Sequence, residues 1–437
     1  MTKVAIASLG CAKNLVDAEN MLGLIQKNGF EIVNDESIAD VIIVNTCCFI
    51  NDAKQESIDT ILDVAQWKDS GNCKRIIVTG CMAQRYRDEI IKELPEVDAV
   101  VGVGNIDDII SVIKSEENDV LCDKPYSFSI SERYRTTPDY TAYLKISDGC
   151  DNHCTYCVIP SIRGRYKSRP MEDIVSEAKE LVASGVKELV LIAQDTTYYG
   201  KDLYGEFKIC ELLTKLCEIE GLVWLRLHYC YPELITDELI EVIAKNDKIC
   251  KYLDIPIQHC NDDILKKMGR RGNKKQLVEV LNKIKERIPN VTIRTTLITG
   301  FPTETDEQFE ELVQFVKEMR FDRLGVFAYS CEEETPAAEM EGQIDEEVKE
   351  SRREIIMLAQ SEIAEELSRA KIGKTLKVLV EDYDHIVKQH FGRSEADSLD
   401  IDGKVFFKSK NRIKPGEFVN VEIEECFDYD LFGKIKE

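Results

Sequence analysis

The chain has 437 residues, 43% hydrophobic and 32% charged, with 81 acidic against 57 basic side chains and a formal net charge of −24. That length implies two or three domains, and so acidic a chain excludes a Lys- and Arg-built platform for tight, non-specific nucleic-acid binding while favouring a basic partner. No run of about 18 uncharged apolar residues is present to cross a membrane, and 16 cysteines behind a strand-like N-terminus point to a reducing, cytoplasmic compartment and to metal-cluster ligation rather than disulfides.

From Lys3 to about Ser115, β-branched runs at Val4–Ser8, Val41–Asn45, Arg75–Thr79 and Ala99–Gly102 alternate with helical patterns at Leu15–Lys27, Asp52–Trp67 and Gln84–Glu93. This is the rhythm of a parallel sheet in an α/β domain. Each of the first three strands ends at a cysteine: Cys11 after Leu9-Gly10, Cys47 after Asn45-Thr46, and Cys81 after Thr79-Gly80. Ligands gather outside the carboxyl ends of strands in an open parallel sheet, so three cysteines far apart in sequence are expected to converge there as a three-thiolate site. Cys48 adjoins Cys47, and spacing alone does not choose between them.

After a polar connector from Pro125 to Pro138, a second alternating region runs from Tyr143 to about Ser330. Strands are expected at Tyr143–Ser147, Glu188–Ala193, Val223–Leu227, Tyr252–Ile255, Thr292–Thr299 and Arg323–Ala328. Six βα units make a partial barrel, whose chemistry sits on the loops after the strands. The first such loop carries Cys150, Cys154 and Cys157 in a C-x3-C-x2-C spacing. Three thiolates leave one iron of a 4Fe-4S cube open, whereas a structural zinc or an electron-transfer cluster is normally closed by a fourth ligand. The amino and carboxylate groups of S-adenosylmethionine suit that open iron, and a reduced cluster cleaves the bound cofactor to a deoxyadenosyl radical. A zinc knuckle short of one ligand is the plainer alternative. Cys73, Cys122, Cys210, Cys217, Cys230 and most of the remaining cysteines lie in apolar or helical contexts that suit buried, inert thiols.

Asp345 to Ala370 reads as a charged amphipathic helix. Beyond Lys374, short strands at Thr375–Val380, Val405–Lys408 and Glu417–Glu424, with turns at Asp402-Gly403 and Pro415-Gly416, indicate a small all-β barrel. Between Lys371 and Glu437 there are 12 Lys and Arg against 14 Asp and Glu, which is not the cationic surface that RNA binding requires. A basic protein partner suits such a chain by electrostatic steering.

With two three-cysteine sites, the chain resembles the methylthiotransferase family of radical S-adenosylmethionine enzymes, which insert sulfur into an unactivated C–H bond and cap it with a methyl group. The resemblance covers essentially the whole length. It implies an N-terminal methylthiotransferase domain over residues 1–125 holding an auxiliary 4Fe-4S cluster on Cys11, Cys47 and Cys81, and a radical domain over 136–368 holding a second on Cys150, Cys154 and Cys157. A TRAM domain over 369–437 completes it. Family motifs put the ligand at the first cysteine of Asn-Thr-Cys, which selects Cys47; Cys48 stands where relatives usually have glycine. The runs Ser8-Leu-Gly-Cys-Ala-Lys-Asn-Leu-Val-Asp17, Val158-Ile-Pro-Ser-Ile-Arg-Gly164, Ala193-Gln-Asp-Thr-Thr-Tyr-Tyr-Gly200 and Tyr329-Ser-Cys-Glu-Glu-Glu-Thr-Pro-Ala-Ala338 are similar to the branch that modifies an aspartate of ribosomal small-subunit protein twelve. That branch implies catalytic Cys150, Cys154 and Cys157, hydrogen abstraction from the aspartate β-carbon, sulfur from the auxiliary cluster, and a second S-adenosylmethionine as methyl donor. It also implies an electron donor such as flavodoxin or ferredoxin, with no membrane and no strong nucleic-acid binding. A transfer-RNA adenosine methylthiotransferase predicts a more basic C-terminal barrel and Gln or Val wording beside the first cysteine. A non-enzymatic iron-sulfur scaffold needs no open coordination sites.

Around the radical site, Tyr156 is a candidate to stack near the adenine or simply to fill apolar space. Gln194 and Asp195 at the end of the second barrel strand are candidates for the cofactor ribose or the substrate, or for a turn. Gln258 and His259 end another strand and are candidate site-lining residues, and Gly300 is a point where the backbone can approach the cofactor. Thr305 with Gln308 fits a helix capping box, a sufficient structural role. Arg163, Arg165, Lys167 and Arg169 form a basic cluster suited to a carboxylate, with solvated loop charge as the alternative for at least two of them.

Overall fold

The computed structural model describes residues 1–128 and 133–436; part of the Pro125–Pro138 connector and Glu437 lie outside the described residues. The first unit is a six-stranded, all-parallel sheet in the order β2-β1-β3-β4-β5-β6, from β1 (Lys3–Ser8), β2 (Glu31–Ile32), β3 (Val41–Thr46), β4 (Arg75–Gly80), β5 (Ala99–Val101) and β6 (Asp119–Leu121). Helices α1 (Ala12–Lys27), α2 (Asn51–Ser70), α3 (Cys81–Arg85), α4 (Arg87–Glu93) and α5 (Ile109–Lys114) cover it. The uninterrupted apolar runs Val41–Val44 and Ile76–Val78 are buried on both sheet faces, as parallel strands require. Register then does the positioning. Ser8 pairs with Asn45 and Asn45 with Thr79, so the three strands end level and their following cysteines emerge along one edge. The two short edge strands escape the sequence pattern because runs of two and three residues carry no periodicity. The helix read over Gln84–Glu93 is instead two helices broken at Tyr86.

The second unit is an open parallel sheet in the order β14-β13-β12-β11-β10-β7. It comprises β7 (Thr141–Lys145), β10 (Glu188–Ile192), β11 (Trp224–Leu227), β12 (Ile249–Asp254), β13 (Thr292–Thr299) and β14 (Arg323–Ala328), and a two-residue pair, β8 (Ser147–Asp148) with β9 (Lys167–Ser168), flanks the cysteine loop. Helices α6 (Ile159–Arg163), α7 (Met171–Ala183), α8 (Lys201–Tyr204), α9 (Ile209–Cys217), α10 (Asp237–Lys245), α11 (Asp262–Lys267), α12 (Lys274–Arg287), α13 (Asp306–Met319) and α14 (Glu346–Arg369) connect and cover these strands. Alternation along β10 sends Leu189 and Leu191 into the helix-covered core. Val190 and Ile192 turn to the opposite face, where Val16, Ala12 and Leu15 of α1 and Leu399 of the C-terminal unit pack on them. The inner face of this sheet is therefore filled by the two flanking units.

The third unit is a closed five-stranded barrel in the order β15-β16-β17-β19-β18: β15 (Thr375–Asp384), β16 (Gln389–Ser394), β17 (Val405–Lys408), β18 (Phe418–Phe427) and β19 (Asp430–Ile435). Its core is Val378, Val380, Val405, Phe407, Val421, Ile423 and Leu431. It docks through charge. Glu188 at the start of β10 accepts from Arg226 at 3.0 Å and from Arg393 at 2.6 Å, all three buried. Burial alone would push the Glu188 carboxyl up, but Arg393 and Arg226 outweigh it and hold it from its ordinary 4.5 down to about 2. No helix among the described residues is long and apolar enough to cross a membrane.

Glu188→Gln takes the anion from buried Arg226 and leaves Arg393 only Glu381, an expected cost of about 3–5 kcal/mol, visible as faster proteolysis between α14 and β15 and a lower urea midpoint. A carboxyl depressed by folding stabilises above its unfolded value and loses that contribution as pH falls through its folded value. Docking of the barrel is thus expected to be constant from neutral pH down to 4.5 and to weaken between 4.5 and about 2, a dependence that the Gln variant lacks.

Candidate active site and cluster ligands

The first cysteine trio is assembled where β1, β3 and β4 end. Cys11 caps the start of α1, Cys47 follows β3, and Cys81 opens α3. Gly10 has φ +83°, and a Cβ there would stand 2.8 Å from Cys47 Cβ and 3.0 Å from its Sγ, so only glycine lets these two loops meet. Ser57 of α2 fixes Cys47 from behind, accepting its N–H at 3.0 Å and donating to its carbonyl at 2.8 Å. The Asn14 amide donates to the carbonyls of Leu9 and Thr46, both at 2.9 Å, tying the first two loops together. Burial pushes the Cys47 and Cys81 thiols up, Cys81 to about 11, and the charge on Cys11 adds to both. Cys11 differs: burial also pushes it up, but Lys13, Arg163 and two backbone N–H groups outweigh this and hold it below the ordinary thiol value. Cys47 is half-buried, while Cys48 turns into the apolar core beside Ile76, Val78 and Ala83, where burial raises its thiol.

The second trio lies on the loop after β8. Gly149, at φ +76°, has no room for a Cβ, which would meet the Arg165 carbonyl at 2.2 Å. The loop is closed by backbone bonds from Cys150 to Gly164 (3.2 Å), Cys154 to Asn152 (2.7 Å) and Cys157 to Cys154 (3.1 Å). Thr155 ties it to its surroundings, donating to the Met268 carbonyl and accepting from Ala337 N–H, each at 3.0 Å. The Asn152 N–H donates to Cys150 Sγ at 3.4 Å, and the Tyr231 hydroxyl lies 3.7 Å from Cys154 Sγ. The Arg270 guanidinium sits 3.9 Å over the Tyr231 ring, its buried Nε without a partner. Burial pushes Cys150 up to about 12 and raises Cys157 as well. Thiols held this high are protonated until a metal claims them, so loading releases protons.

Both donor sets consist of three thiols, and among the described residues no group of three His, Cys, Asp or Glu is arranged to hold a single metal ion. Soft thiols without carboxylate or imidazole company, on glycine-shaped loops with N–H groups aimed at sulfur, fit an iron-sulfur cluster.

Gln194 donates to Asp148 Oδ1 at 3.0 Å and leaves its Oε1 buried without a partner. Asp195 accepts from the Asn152 amide at 2.8 Å and from the Thr197 N–H and hydroxyl at 3.0 and 2.5 Å, so it orients the cysteine loop; its burial raises its carboxyl. Tyr156 is half-buried against the cluster formed by Met268, Phe301 and Tyr329. Gln258 sits at φ +71°, a strained value for a side chain other than glycine. His259 is wholly buried: its Nδ1 accepts the Asn261 N–H at 2.9 Å and its Nε2 lies 3.3 Å from Glu304 Oε2. Glu304 also accepts from Gly300 N–H and from Arg352, and Gly300 abuts Lys349 so closely that a Cβ would meet Lys349 Cγ at 2.3 Å. Gly300 and His259 thus join one buried network beneath α14, and the Thr305–Gln308 capping box stands beside it. Of the basic run, Arg163 pairs with Asp17 and Asp148, Arg165 with Asp151 and Arg169 with Glu177, while Lys167 donates to the Tyr126 carbonyl. Lys13, Tyr231 and Arg270 escape the sequence reading as site residues: only the fold brings Tyr231 and Arg270 to Cys154 and sets Lys13, two residues after Cys11, against Ala193 and Tyr229.

Three family models match the chain: "Uncharacterized protein family UPF0004" over residues 3–102, "Radical SAM superfamily" over 144–316 and "TRAM domain" over 372–435. Among curated relatives, ribosomal protein uS12 methylthiotransferase RimO of Lachnoclostridium phytofermentans is 53% identical, across 99% of both chains. The protein of that name from Clostridioides difficile is 51% identical, over the whole of this chain and 99% of that one. Among solved structures, the radical S-adenosylmethionine methyltransferase TsrM of Kitasatospora setae superposes with a TM-score of 0.56 at 15% identity, over 77% of each chain. The cobalamin-dependent radical enzyme OxsB gives 0.51 at 13% identity, over 82% of this chain and 56% of that one. At such identities the two structures establish the shared fold alone.

Cys48→Ala is expected to keep the full iron content after anaerobic reconstitution, because its side chain faces the core. Cys47→Ala is expected to retain about half, one of two clusters of equal size. Iron and sulfide analysis distinguishes the two.

Proposed function

Because the chain belongs to the RimO family of ribosomal protein uS12 methylthiotransferases, we propose that each cysteine trio holds one 4Fe-4S cluster and that the methylthio group is added to the β-carbon of an aspartate of uS12. The chain is a radical S-adenosylmethionine methylthiotransferase; the family match favours the uS12 reading over a transfer-RNA one. The observation that supports the two-cluster reading is the convergence of Cys11, Cys47 and Cys81 at one sheet edge, where Cys11 opens α1, the helix that packs against the inner face of the radical sheet.

When bound, the cluster on Cys150, Cys154 and Cys157 with S-adenosylmethionine supplies hydrogen-atom abstraction, and the cluster on Cys11, Cys47 and Cys81 supplies sulfur. The chain's own residues have separate tasks. Asn152 and Asp195 hold the radical-site loop in shape. Tyr231 and Arg270 line the wall beside Cys154, where the free Arg270 N–H suits a carboxylate such as that of the cofactor. Gln194 presents an unpaired carbonyl at a strand end, suited to a hydroxyl donor. Ser57 and Asn14 hold the sulfur-site loops. Electrons come from a small redox protein such as flavodoxin or ferredoxin, and the setting is the cytoplasm, where ribosomal substrates reside.

Anaerobic incubation with reductant, S-adenosylmethionine and uS12, followed by mass spectrometry, tests this reading. Cys154→Ala is expected to abolish both cofactor cleavage and product. Cys47→Ala is expected to spare cleavage and lose methylthiolation. Product from either variant, or a methylthio gain on transfer RNA alone, would contradict the assignment.

A further inference from the structure

Among the described residues three lysines are buried. Lys145 meets Asp17 and Asp148, and Lys349 meets Glu346, but Lys13 meets no carboxylate. Its Nζ donates to the Ala193 carbonyl at 3.5 Å and lies 3.7 Å over the Tyr229 ring. One long hydrogen bond, one aromatic face and the neighbouring Cys11 thiol leave the ammonium without a carboxylate partner in a site removed from water. A chain that keeps such a cation has an anion to meet.

The location names the anion. Lys13 is two residues from Cys11, on the sulfur side. Ala193 immediately precedes Gln194 and Asp195 at the radical-sheet strand end. Tyr229 shares its loop with Tyr231, whose hydroxyl is 3.7 Å from Cys154 Sγ on the radical side. Tyr229 itself is held at φ +58°, a strained conformation that keeps its ring over the ammonium. The ammonium therefore lies at the seam between the helix that opens at Cys11 and the radical-side loops of Ala193 and Tyr229. An aspartate carboxylate is one bond from its β-carbon, so holding the carboxylate there holds that carbon between the two sites.

We propose that Lys13 is the residue that selects aspartate, donating a charge-assisted hydrogen bond to the substrate carboxylate. The inference rests on the aspartate reading above. It makes the enzyme disfavour an asparagine of the same shape, because the ammonium gains more from a charged acceptor than from a neutral one.

The test measures equilibrium binding of intact uS12, and of uS12 with its target Asp replaced by Asn, to cluster-loaded protein without reductant. The unmodified enzyme is expected to prefer the Asp form about tenfold, the worth of one hydrogen bond to a charged group. Lys13→Met is expected to erase that ratio while binding the Asn form unchanged and keeping its iron content and cluster absorption. Lys13→Gln, polar but uncharged, is expected to erase it too and serves if the Met variant loses iron. A variant that keeps the full preference overturns the proposal, as does an equal loss for both uS12 forms, which marks a purely structural role. An unmodified enzyme with no Asp preference overturns the aspartate reading itself, and this inference with it.

Discussion

Everything in this molecule is aligned by four buried charges. Asp17 from α1 meets Lys145 of β7 at 2.6 Å and Arg163 of α6 at 2.9 Å; Asp148 of β8 meets the same two cations at 2.6 and 2.7 Å. A single buried ion of this kind costs several kcal/mol, and the quartet is tolerated because two acids and two bases alternate with their hydrogen bonds satisfied. An apolar seam could slide by a side chain; this one has a single register. Its members also sit beside the ligands. Asp148 is two residues before Cys150, and Arg163 ends the helix that follows Cys157 and donates to Asn14, the residue that ties the Cys11 and Cys47 loops. Setting the quartet therefore sets one trio against the other.

A second clasp closes the opposite edge of the radical sheet. Lys54 and Arg85 of the N-terminal unit meet Glu332 in the loop after β14 at 3.1 and 3.2 Å, and Tyr86 donates to Glu333. The same loop supplies the Ala337 N–H that holds Thr155 between Cys154 and Cys157. From the far end, the segment after β16 fills the inner face, with Leu399 against Val190 and Ile192, Ser398 bonded to His228 and Asp397 to Arg323. The inner face of an open six-stranded sheet is covered because its neighbours, and not further strands, complete it.

The sequence made much of this legible for physical reasons. Cysteines at strand ends are readable because parallel sheets deliver strand ends to one edge, whereas the need for glycine before Cys11 and Cys150 appears only in the structure, where neither has room for a Cβ. The radical-sheet strands were readable from apolar runs, though Ile249–Asp254 begins three residues before the expected Tyr252, since Ile249 and Cys250 are separated from it by the charged Lys251. Two barrel strands, Gln389–Ser394 and Asp430–Ile435, were hidden by charge and glycine. What no local pattern could carry is partnership across units. Arg163 looks like one of four loop cations in sequence but is a buried keystone in space, and His259, read as a candidate site residue, is wholly buried, its Nδ1 accepting the Asn261 N–H and its Nε2 facing Glu304 without a hydrogen bond. The burial of Lys13 without an acid is likewise visible only once α1 lies against the second sheet.

The central claim is that one chain holds two clusters facing a single chamber, and electron paramagnetic resonance of the anaerobically reconstituted, fully reduced protein tests it most directly. Two paramagnetic clusters in one chamber are expected to broaden and split each other's spectra, an interaction lost in Cys47→Ala, whose spectrum becomes that of one isolated cluster. A spectrum of the unmodified protein that is the plain sum of two non-interacting clusters, or that contains only one, would contradict the account.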